Sequence, residues 1–491
     1  MIETILEKTT AYINKMPKSL RKNYGQFFTS KETALYMARL FNIPKNDEIS
    51  ILDPGAGSGI LSAALIERLC KSNVKTVNLV CYENDDNIIE LLEENLALIK
   101  SNVEITLNYE IRRENYILSQ ENDYNEMLDA NPNPEKYDIV IGNPPYKKIP
   151  KDAPEALAMP DICYGAPNLY FIFMEMAVYN LIPDGEMVFI IPRSWTSGAY
   201  FKSFRQKFFS ECVIEHIHLF VSRDKVFENE SVLQETMILK IKKNTKKPEK
   251  ITITTTKSNS DFSEITSFQA PYDIVVAGKD RFVYLVTNAD DVNTLQKLRQ
   301  WNDTLPSLGM KMKTGLTVDF RNRDILKNTE EEAAVPLFYS QHIQSGKVVF
   351  PIGKENEYIV TNQPGLLQNN SNYLFVKRFT AKEEHRRLQC GIYLARKYPK
   401  YTKISTQNKI NFIDGLCGLS ECVVYGLYVL FNSTIYDCYY RILNGSTQVN
   451  STEVNTMPVP PLRIIEKMGQ ELIKTRDMSE DSCNQILRSY L

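Results

Sequence analysis

The chain has 491 residues, of which 43% are hydrophobic and 24% charged, and its 58 basic and 60 acidic residues leave a net charge of −2. This composition excludes fibrous and intrinsically disordered proteins, and the length suggests two or three domains of roughly 100–200 residues each. No apolar run reaches the roughly 18 residues that span a bilayer, and the N-terminus lacks the apolar core of a secretory signal. We therefore expect a soluble cytoplasmic protein with no membrane partner.

The first 242 residues alternate strand-like and helix-like segments, which is typical of an α/β fold with a wound parallel sheet. The predicted strands, in chain order, are 49–53, 77–82, 103–107, 137–141, 186–191, 213–220 and 236–241. The predicted helices include 60–70, 85–99 and an amphipathic helix at 169–181. The Lys-rich segment 242–250 has a proline and no apolar periodicity, so it predicts a linker or exposed loop. We therefore expect one domain over 1–245 and a second over 246–491.

A glycine-rich turn, Asp53-Pro54-Gly55-Ala56-Gly57-Ser58-Gly59, connects the first predicted strand to the first predicted helix. Glycines here let the backbone turn sharply and approach a ligand, as in nucleotide-binding α/β folds. Isoleucine at position 60 departs from the dinucleotide fingerprint, and an acidic strand tip favours the cation of an amino-acid moiety over a pyrophosphate. Glu83 follows the second predicted strand, where a carboxylate can accept both hydroxyls of an adenosine ribose.

A rigid corner, Asn143-Pro144-Pro145-Tyr146, follows the predicted strand 137–141. Consecutive prolines fix their own φ and donate no backbone hydrogen bond, so the Pro144 carbonyl and the Asn143 side chain offer two fixed acceptors. Paired acceptors suit an exocyclic amine, because drawing both hydrogens away favours the pyramidal nitrogen whose lone pair can attack. The same dipoles would stabilise the charge that develops on that nitrogen, and Tyr146 is expected to stack on the ring.

The order of these motifs resembles the gamma class of adenine-N6 DNA methyltransferases found in restriction-modification systems. The series begins with Gln26-Phe27-Phe28-Thr29-Ser30 and continues through the glycine turn and Glu83 to the corner at 143–146. The resemblance covers residues from about 20 to 242. It implies a Rossmann-like S-adenosylmethionine-dependent methyltransferase domain followed by an α+β target-recognition domain.

The resemblance also implies roles for individual residues. Those that would bind S-adenosylmethionine are Thr29, Asp53, Pro54, Gly55, Gly57, Glu83 and Asn115. Those that would receive the target adenine and catalyse its methylation are Asn143, Pro144, Pro145 and Tyr146. Asn115-Tyr116 replaces the family's Asp-Phe pair beside the cofactor's adenine amine, from which Asn can still accept a hydrogen bond. Phe227 stands where the family has a second aromatic below the flipped base; an ordinary surface phenylalanine is the other interpretation.

A basic stretch in the C-terminal half predicts contact with a polyanion. Residues 377–409 contain ten Lys or Arg against Glu383 and Glu384, a local charge of +8. Given the resemblance, we interpret this stretch, including Lys397 and Lys400, as a surface that grips the phosphates of double-stranded DNA. A solvated surface is the alternative. Residues 445–461 are loosely similar to the closing part of target-recognition domains.

The sequence therefore predicts a site-specific DNA methyltransferase that acts on adenine N6 by direct in-line attack, with a cognate restriction endonuclease as a further partner. No cysteine has a proline neighbour, so the covalent route used on cytosine carbon is not expected. An RNA methyltransferase, a protein-glutamine methyltransferase and a non-catalytic DNA-binding protein with a degenerate methyltransferase domain are the alternatives. We expect no fused N-terminal nuclease, since about twenty residues precede the first motif.

No metal site is expected. The nine cysteines are spread over the chain, and the close pair Cys417 and Cys422 lacks the spacing of a zinc knuckle, so reduced thiols are predicted. His216 and His218 alternate along a predicted strand and are interpreted as packing residues.

Overall fold

The computed structural model describes residues 2–15, 29–165, 167–220, 236–260, 262–381, 384–444 and 448–491. The chain forms two compact units, Met1–Asn288 and Ala289–Leu491. The first unit extends beyond the predicted division at 245/246 because two further strands, Lys250–Thr256 and Thr266–Pro271, continue its sheet. The predicted linker is accordingly a loop within this unit.

The first unit combines helices with one large sheet. Its helices are α1 (Ile2–Lys15), α2 (Lys31–Leu40), α3 (Ile60–Leu69), α4 (Asp86–Ser101), α5 (Tyr116–Ser119), α6 (Glu121–Tyr124), α7 (Pro154–Ala158), α8 (Leu169–Asn180), α9 (Lys202–Glu211) and α10 (Tyr272–Val275), with 3-10 turns at Arg193–Thr196 and Ala199–Phe201. Its strands are β1 (Glu48–Asp53), β2 (Thr76–Tyr82), β3 (Thr106–Arg112), β4 (Tyr137–Gly142), β5 (Leu181–Pro192), β6 (Val213–Phe220), β7 (Thr236–Lys242), β8 (Lys250–Thr256), β9 (Thr266–Pro271), β10 (Val276–Ala277) and β11 (Phe282–Val283).

Among the described residues, nine strands form the large sheet in the order β3-β2-β1-β4-β5-β7-β6-β8-β9. β1 to β5 pair in parallel, and β7 runs antiparallel between β5 and β6. The strand order reverses at β1, which lies between β2 and β4. Carboxyl ends of strands beside such a reversal form the crevice in which α/β proteins bind ligands. The predicted α/β class is confirmed, with antiparallel strands added at one side of the sheet.

Two predicted elements differ from the structure. The third strand, predicted at 103–107, lies at Thr106–Arg112. Because β3 is the edge strand and most of its side chains are partly or fully exposed, it lacks the apolar pattern that marks a buried strand. The helix predicted as amphipathic, α8, is buried around its circumference, including Phe173 and Glu175.

The side chain of His218 on β6 packs in the protein interior, as predicted, and that of His216 is half-buried. His218 is fully buried, and its ring nitrogens lie 2.9 Å from Thr254 Oγ1 and 3.1 Å from Thr256 Oγ1. Burial lowers the pKa of His218 to about 3, so the ring stays neutral. Among the described residues, no group of three or more His, Cys, Asp or Glu could hold a metal ion.

The second unit has the α+β organisation expected from the resemblance. Its helices are α11 (Ala289–Leu298), α12 (Glu421–Phe431), α13 (Thr434–Leu443), α14 (Ser451–Val454), α15 (Leu462–Thr475) and α16 (Glu480–Arg488), with 3-10 turns at Pro306–Leu308, Asp319–Arg321, Arg323–Ile325, Ser340–His342, Pro364–Leu366 and Ala395–Lys397. Its strands are β12 (Met310–Thr314), β13 (Leu326–Lys327), β14 (Val335–Phe338), β15 (Ile343–Gln344), β16 (Lys347–Val348), β17 (Tyr358–Ile359), β18 (Gln368–Asn369), β19 (Tyr373–Lys377), β20 (Cys390–Tyr393), β21 (Lys403–Thr406) and β22 (Ile410–Gly415). The strands form two sheets, β12-β22-β19-β20-β16-β15 and β13-β17-β14-β21-β18.

Two glycines set the distance between helices of the second unit. A Cβ atom added to Gly426 on α12 would lie 1.9 Å from the carbonyl oxygen of Ile465, and one added to Gly469 on α15 would lie 1.8 Å from that of Cys422. The two helix backbones therefore touch, and any other residue would force them apart. None of the helices in the described ranges has both the length and the apolar character needed to cross a membrane.

Candidate active site

One cleft joins the glycine turn to the proline corner. Backbone and side-chain atoms of Gly55, Gly57 and Glu83 line one part of it, and Asn143 and Pro145 line another. The turn follows β1, Glu83 follows β2, and the corner follows β4, so all three lie at the carboxyl ends of neighbouring parallel strands. The sheet topology thus brings together motifs that are separated in sequence.

The turn depends on glycines in the left-handed region. Gly57 has a φ of +54°, and Gly59, which caps the N-terminus of α3, has a φ of +78°. A Cβ atom at Gly59 would also lie 2.9 Å from Leu92 Cδ1, whereas one at Gly57 would meet no heavy atom within 4 Å. Gly59 is therefore required by both backbone conformation and packing, and Gly57 by conformation alone.

The Glu83 carboxylate is held in one orientation by backbone donors. Its Oε2 accepts from the N–H of Gly57 at 2.9 Å, and its Oε1 accepts from the N–H groups of Asn84 and Asp85 at 2.9 and 3.0 Å. Burial raises the pKa of Glu83, and these three donors oppose that shift by stabilising the charged form. The group is an oriented acceptor in the cleft wall.

Asp53 lies beneath the turn rather than in the cleft lining. Its side chain is fully buried, and its Oδ2 accepts from Ser62 Oγ at 2.7 Å. Burial raises the pKa of Asp53 to about 7, with Ser62 and the Gly55 N–H opposing the shift. Its Oδ1 has no hydrogen-bond partner among the described residues. Direct contact between Asp53 and a ligand, as the resemblance implies, stays a prediction; the structure supports an electrostatic influence through the turn.

The proline corner at 143–146 is hydrogen-bonded to Thr29 of the N-terminal motif. Asn143 Nδ2 donates to Thr29 Oγ1 over 3.1 Å, and both residues line the cleft. The chain after the corner is braced against the segment before α8, because the Leu169 N–H donates to the Lys147 carbonyl oxygen at 2.9 Å and the Ile149 N–H donates to that of Pro167 at 2.8 Å. The Asn143 amide is therefore held on a rigid frame.

Pro144 and Tyr146 are buried and are not among the described residues that line the cleft. The Tyr146 side chain donates from its hydroxyl to the Ile190 carbonyl oxygen at 2.9 Å, and its ring meets that of Tyr170 edge-on with centroids 6.4 Å apart. The Tyr146 ring thus packs into the first unit. Its stacking on a substrate ring stays a prediction.

The chain is similar along nearly its whole length to curated methyltransferases. It is 34% identical over 485 residues to the type II methyltransferase M.BsuBI of Bacillus subtilis, with 96% of this chain and 94% of the relative covered. It is 32% identical to the type II methyltransferase M.PstI of Providencia stuartii, with 99% and 93% covered. The chain belongs to the type II methyltransferase family. This confirms the resemblance to the methyltransferases of restriction-modification systems.

The chain is also similar to a family model over part of its length and to solved structures in its fold. Residues 66–227 match the Eco57I restriction-modification methylase family. Among solved structures, the type IIL restriction-modification enzyme MmeI, determined in complex with DNA, has a TM-score of 0.53 at 12% identity, with 97% of this chain and 69% of that chain covered. The DrdV–DNA complex has a TM-score of 0.50 at 13% identity, with 94% and 58% covered. At these identities the structures show a shared fold.

The methyltransferase cleft contains residues that sequence reasoning missed. Tyr82, Lys147, Glu155 and Phe173 all line it. The Tyr116 ring lies between two of them, with centroids 5.0 Å from Tyr82 and 5.3 Å from Phe173. The largely apolar composition of α8 is a sequence signal for Phe173, although the helix was predicted to be amphipathic. Nothing in the local sequence singled out Glu155.

Asn115 lies in the cleft of this type II methyltransferase, but both ends of its amide are engaged. Oδ1 accepts from the N–H groups of Ile117 at 3.0 Å and Leu118 at 3.3 Å, which caps α5. Nδ2 donates to Glu155 Oε1 at 2.8 Å. The resemblance assigns Asn115 a hydrogen bond accepted from the cofactor's adenine amine. Its Oδ1 could accept that bond only by giving up one of the N–H groups that cap α5.

The predicted DNA-contacting residues of the methyltransferase differ from one another in exposure and in ion pairing. Phe227 lies outside the described residues. Lys397 is exposed and makes no ion pair with a described residue, whereas Lys400 Nζ lies 2.6 Å from Glu330 Oε2. Other cations of the stretch are also engaged: Arg386 pairs with Glu480, Arg396 pairs with Glu421, and Arg387 is buried. The local charge of +8 is thus partly neutralised by acidic residues from other segments.

Proposed function

We propose that this type II methyltransferase transfers a methyl group from S-adenosylmethionine to the N6 amine of a flipped-out adenine in double-stranded DNA, at a specific site, as the modification enzyme of a restriction-modification system. One observation carries the proposal: a single cleft joins Glu83 and the glycine turn to the Asn143 amide. A nucleoside cofactor held at the turn and an amine held at the corner would share this cleft.

The residues of the cleft fit a cationic nucleoside better than a nucleotide. Among the described residues, three carboxylates, those of Glu83, Glu114 and Glu155, line the cleft together with one ammonium group, that of Lys147. This charge balance favours a ligand carrying sulfonium and ammonium groups and disfavours a pyrophosphate. The oriented carboxylate of Glu83, which already accepts three backbone N–H groups, can accept a further hydrogen bond from a ribose hydroxyl. The apolar side chains Ile88 and Phe173 suit a planar base.

When bound, S-adenosylmethionine supplies a methyl group on a positively charged sulfur. Glu83 would hold the ribose, the glycine turn would admit the ligand close to the main chain, and Thr29 would flank the reacting end. The buried Asp53 places a further acidic group beneath that turn. These placements are supported by the shared cleft and by the donors that orient Glu83.

The corner would act on the target amine. With Asn143 Nδ2 donating to Thr29, the side-chain oxygen of Asn143 is the acceptor offered to an N–H donor. Acceptance of one amine hydrogen by Asn143 and of the other by the carbonyl of Pro144, a residue outside the described cleft lining, would localise the nitrogen lone pair and stabilise the positive charge formed in transfer. Pro145 and the braced segment behind it keep that geometry fixed, so little reorganisation accompanies the reaction.

The DNA assignment rests on family membership and on the second unit. An enzyme that modifies a base must extract it from the duplex and grip the flanking phosphates. Lys397, an exposed cation of the basic stretch that makes no ion pair with a described residue, is proposed to contact them. Phe227 is proposed to support the flipped base. RNA or a protein glutamine is the second candidate substrate, since the corner chemistry suits both. A cognate restriction endonuclease is proposed as a functional partner.

The test is transfer of label from methyl-labelled S-adenosylmethionine to duplex DNA, single-stranded RNA and protein, followed by nucleoside analysis. We expect label in N6-methyladenine from duplex DNA and none in the other substrates. Label confined to RNA or protein, or recovered in a methylated cytosine, contradicts the proposal.

A further inference from the structure

The cleft continues past Glu83 to the end of β3. Asp53 ends β1, Glu83 follows β2, and Asn115 lies just beyond β3. Since these three strands are successive neighbours in the sheet, the three positions run in order along one edge. A nucleoside whose cationic end lies near the glycine turn and whose ribose lies at Glu83 therefore extends its base toward Asn115.

Asn115 has no acceptor left for that base. An amide oxygen has two lone pairs, and both are used by the N–H groups of Ile117 and Leu118 at the start of α5. The amide nitrogen is a donor only, and it is directed to Glu155. Accepting a hydrogen bond from a ligand would cost Asn115 its helix cap.

Glu155 provides the acceptor that Asn115 lacks. It lies on α7, is half-buried, and lines the same cleft. Asn115 Nδ2 engages only its Oε1, and Oε2 makes no hydrogen bond to any described residue. A carboxylate accepts and never donates, so this oxygen discriminates between an amine and a carbonyl. Glu114 also lines the cleft, but it is exposed and no side chain of the described ranges fixes its orientation.

We infer that Glu155 is the specificity-determining residue for the cofactor's base, accepting a hydrogen bond from the exocyclic amine at purine position 6. This rests on the proposed function, because it takes the cleft to bind S-adenosylmethionine. Asn115 is a positioning residue: the cap of α5 fixes its amide, and its amide fixes which oxygen of Glu155 is left for the ligand.

Calorimetric binding to the full-length protein tests this inference. The probes are S-adenosylhomocysteine and S-inosylhomocysteine, which carries a carbonyl oxygen in place of the 6-amine. We expect the wild type to bind S-adenosylhomocysteine at least about tenfold more tightly than S-inosylhomocysteine. The inosyl ligand cannot donate from position 6 to the charged acceptor, and its carbonyl oxygen would face the carboxylate oxygen of Glu155. This readout does not depend on methyl transfer.

Glu155→Gln should reverse the discrimination. Asn115 Nδ2 will retain the carbonyl oxygen of the new amide, which turns its NH2 group toward the ligand, where it can donate to the 6-oxo group. The ratio of the two dissociation constants should therefore shift by at least about tenfold toward the inosyl ligand. Glu114→Gln makes the same change of charge in the same cleft and should leave the ratio as in the wild type.

The outcomes separate this inference from the proposed function. If the wild type binds neither ligand, the cofactor assignment itself fails. If the wild type binds and Glu155→Gln keeps the wild-type ratio, or Glu114→Gln shifts it equally, Glu155 does not read the base. Should Glu155→Gln fold poorly by circular dichroism, Glu155→Ala serves instead: it should bring the ratio close to one, and a preserved preference for the amine overturns the inference.

Discussion

The side-chain nitrogen of Asn143 donates a hydrogen bond to the hydroxyl oxygen of Thr29, 114 positions earlier in the chain, over 3.1 Å. The contact directs the nitrogen end of the Asn143 amide toward Thr29. In the proposed mechanism, Thr29 would therefore influence the substrate amine indirectly, by determining how Asn143 faces it.

Replacing Thr29 should reduce transfer through this contact. Thr29→Val keeps the shape and removes the acceptor, so we expect the kcat for DNA methylation to fall about tenfold, as for the loss of one hydrogen bond in the transition state. Thr29→Ser keeps the hydroxyl and should remain near the wild-type rate. Single-turnover methylation assays measure both; equal losses in the two variants would show that the methyl group, and not the hydroxyl, matters.

Asn143→Ala should separate binding from chemistry. It removes the proposed acceptor, so transfer should fall at least about 100-fold, the usual cost of losing one preorganised group that stabilises transition-state charge. Affinity for S-adenosylhomocysteine should change less than about threefold, since Glu83 and the glycine turn are untouched. Calorimetry and a methylation assay on the same preparation decide this. Transfer that persists near the normal rate would remove Asn143 from the mechanism.

Asp53 should make stability depend on pH. Its pKa is about 7 in the folded chain because of burial, whereas an unfolded aspartate titrates near 4. The folded state thus retains a proton that the unfolded chain releases, and the contribution of this group to stability is full below about pH 4 and declines as the pH rises toward 7. Asp53→Asn resembles the protonated form and cannot ionise, so its free energy of unfolding should not decline in this way as the pH rises.

The thermal midpoint of Asp53→Asn, relative to the wild type, should therefore rise between pH 5 and pH 8. Other buried acids, such as Glu175, titrate in both proteins and cancel in the difference. Scanning fluorimetry at the two pH values measures it. A difference that is independent of pH would mean that Asp53 is ionised throughout this range.

The glycine turn offers a matched pair of substitutions. Gly57→Ala strains only the backbone, which costs about 1 kcal/mol, whereas Gly59→Ala adds a contact of 2.9 Å with Leu92 on α4. Gly59→Ala should therefore lower the free energy of unfolding by at least about 1 kcal/mol more than Gly57→Ala. Urea unfolding followed by circular dichroism compares them. Equal losses would indicate that Leu92 moves aside without cost.

The sequence predicted those parts of the candidate site that consist of short motifs of consecutive residues. The turn at 53–59, Glu83 and the corner at 143–146 each follow a recognisable strand, so strand order alone brings them to one edge of the sheet. Glu155 could not be found this way, because its significance comes from Asn115, 40 positions away. The inward packing of Tyr146 likewise depends on Ile190, on a strand that pairs with β4.

The ion pairs of the basic stretch could not be predicted from its sequence either. Counting charges along 377–409 identified a cluster of cations, but the acids that neutralise several of them, Glu330, Glu421 and Glu480, come from outside that stretch. Charge density in sequence therefore overstated the positive potential of the folded surface.

This difference between neighbouring lysines gives a prediction about salt dependence. Each phosphate contact contributes a slope of about −0.9 to the plot of log binding constant against log salt concentration. Lys397→Gln should reduce that slope by about one contact, while Lys400→Gln should reduce it by less, because Glu330 already holds the Lys400 ammonium. Glu330→Gln should release Lys400 and steepen the slope.

Lys313→Gln, which removes a paired lysine outside the stretch, is the control. Fluorescence anisotropy with duplex DNA at several salt concentrations measures all four. An unchanged slope in Lys397→Gln would place the stretch outside the DNA interface, because a cation that touches no phosphate releases no counterion.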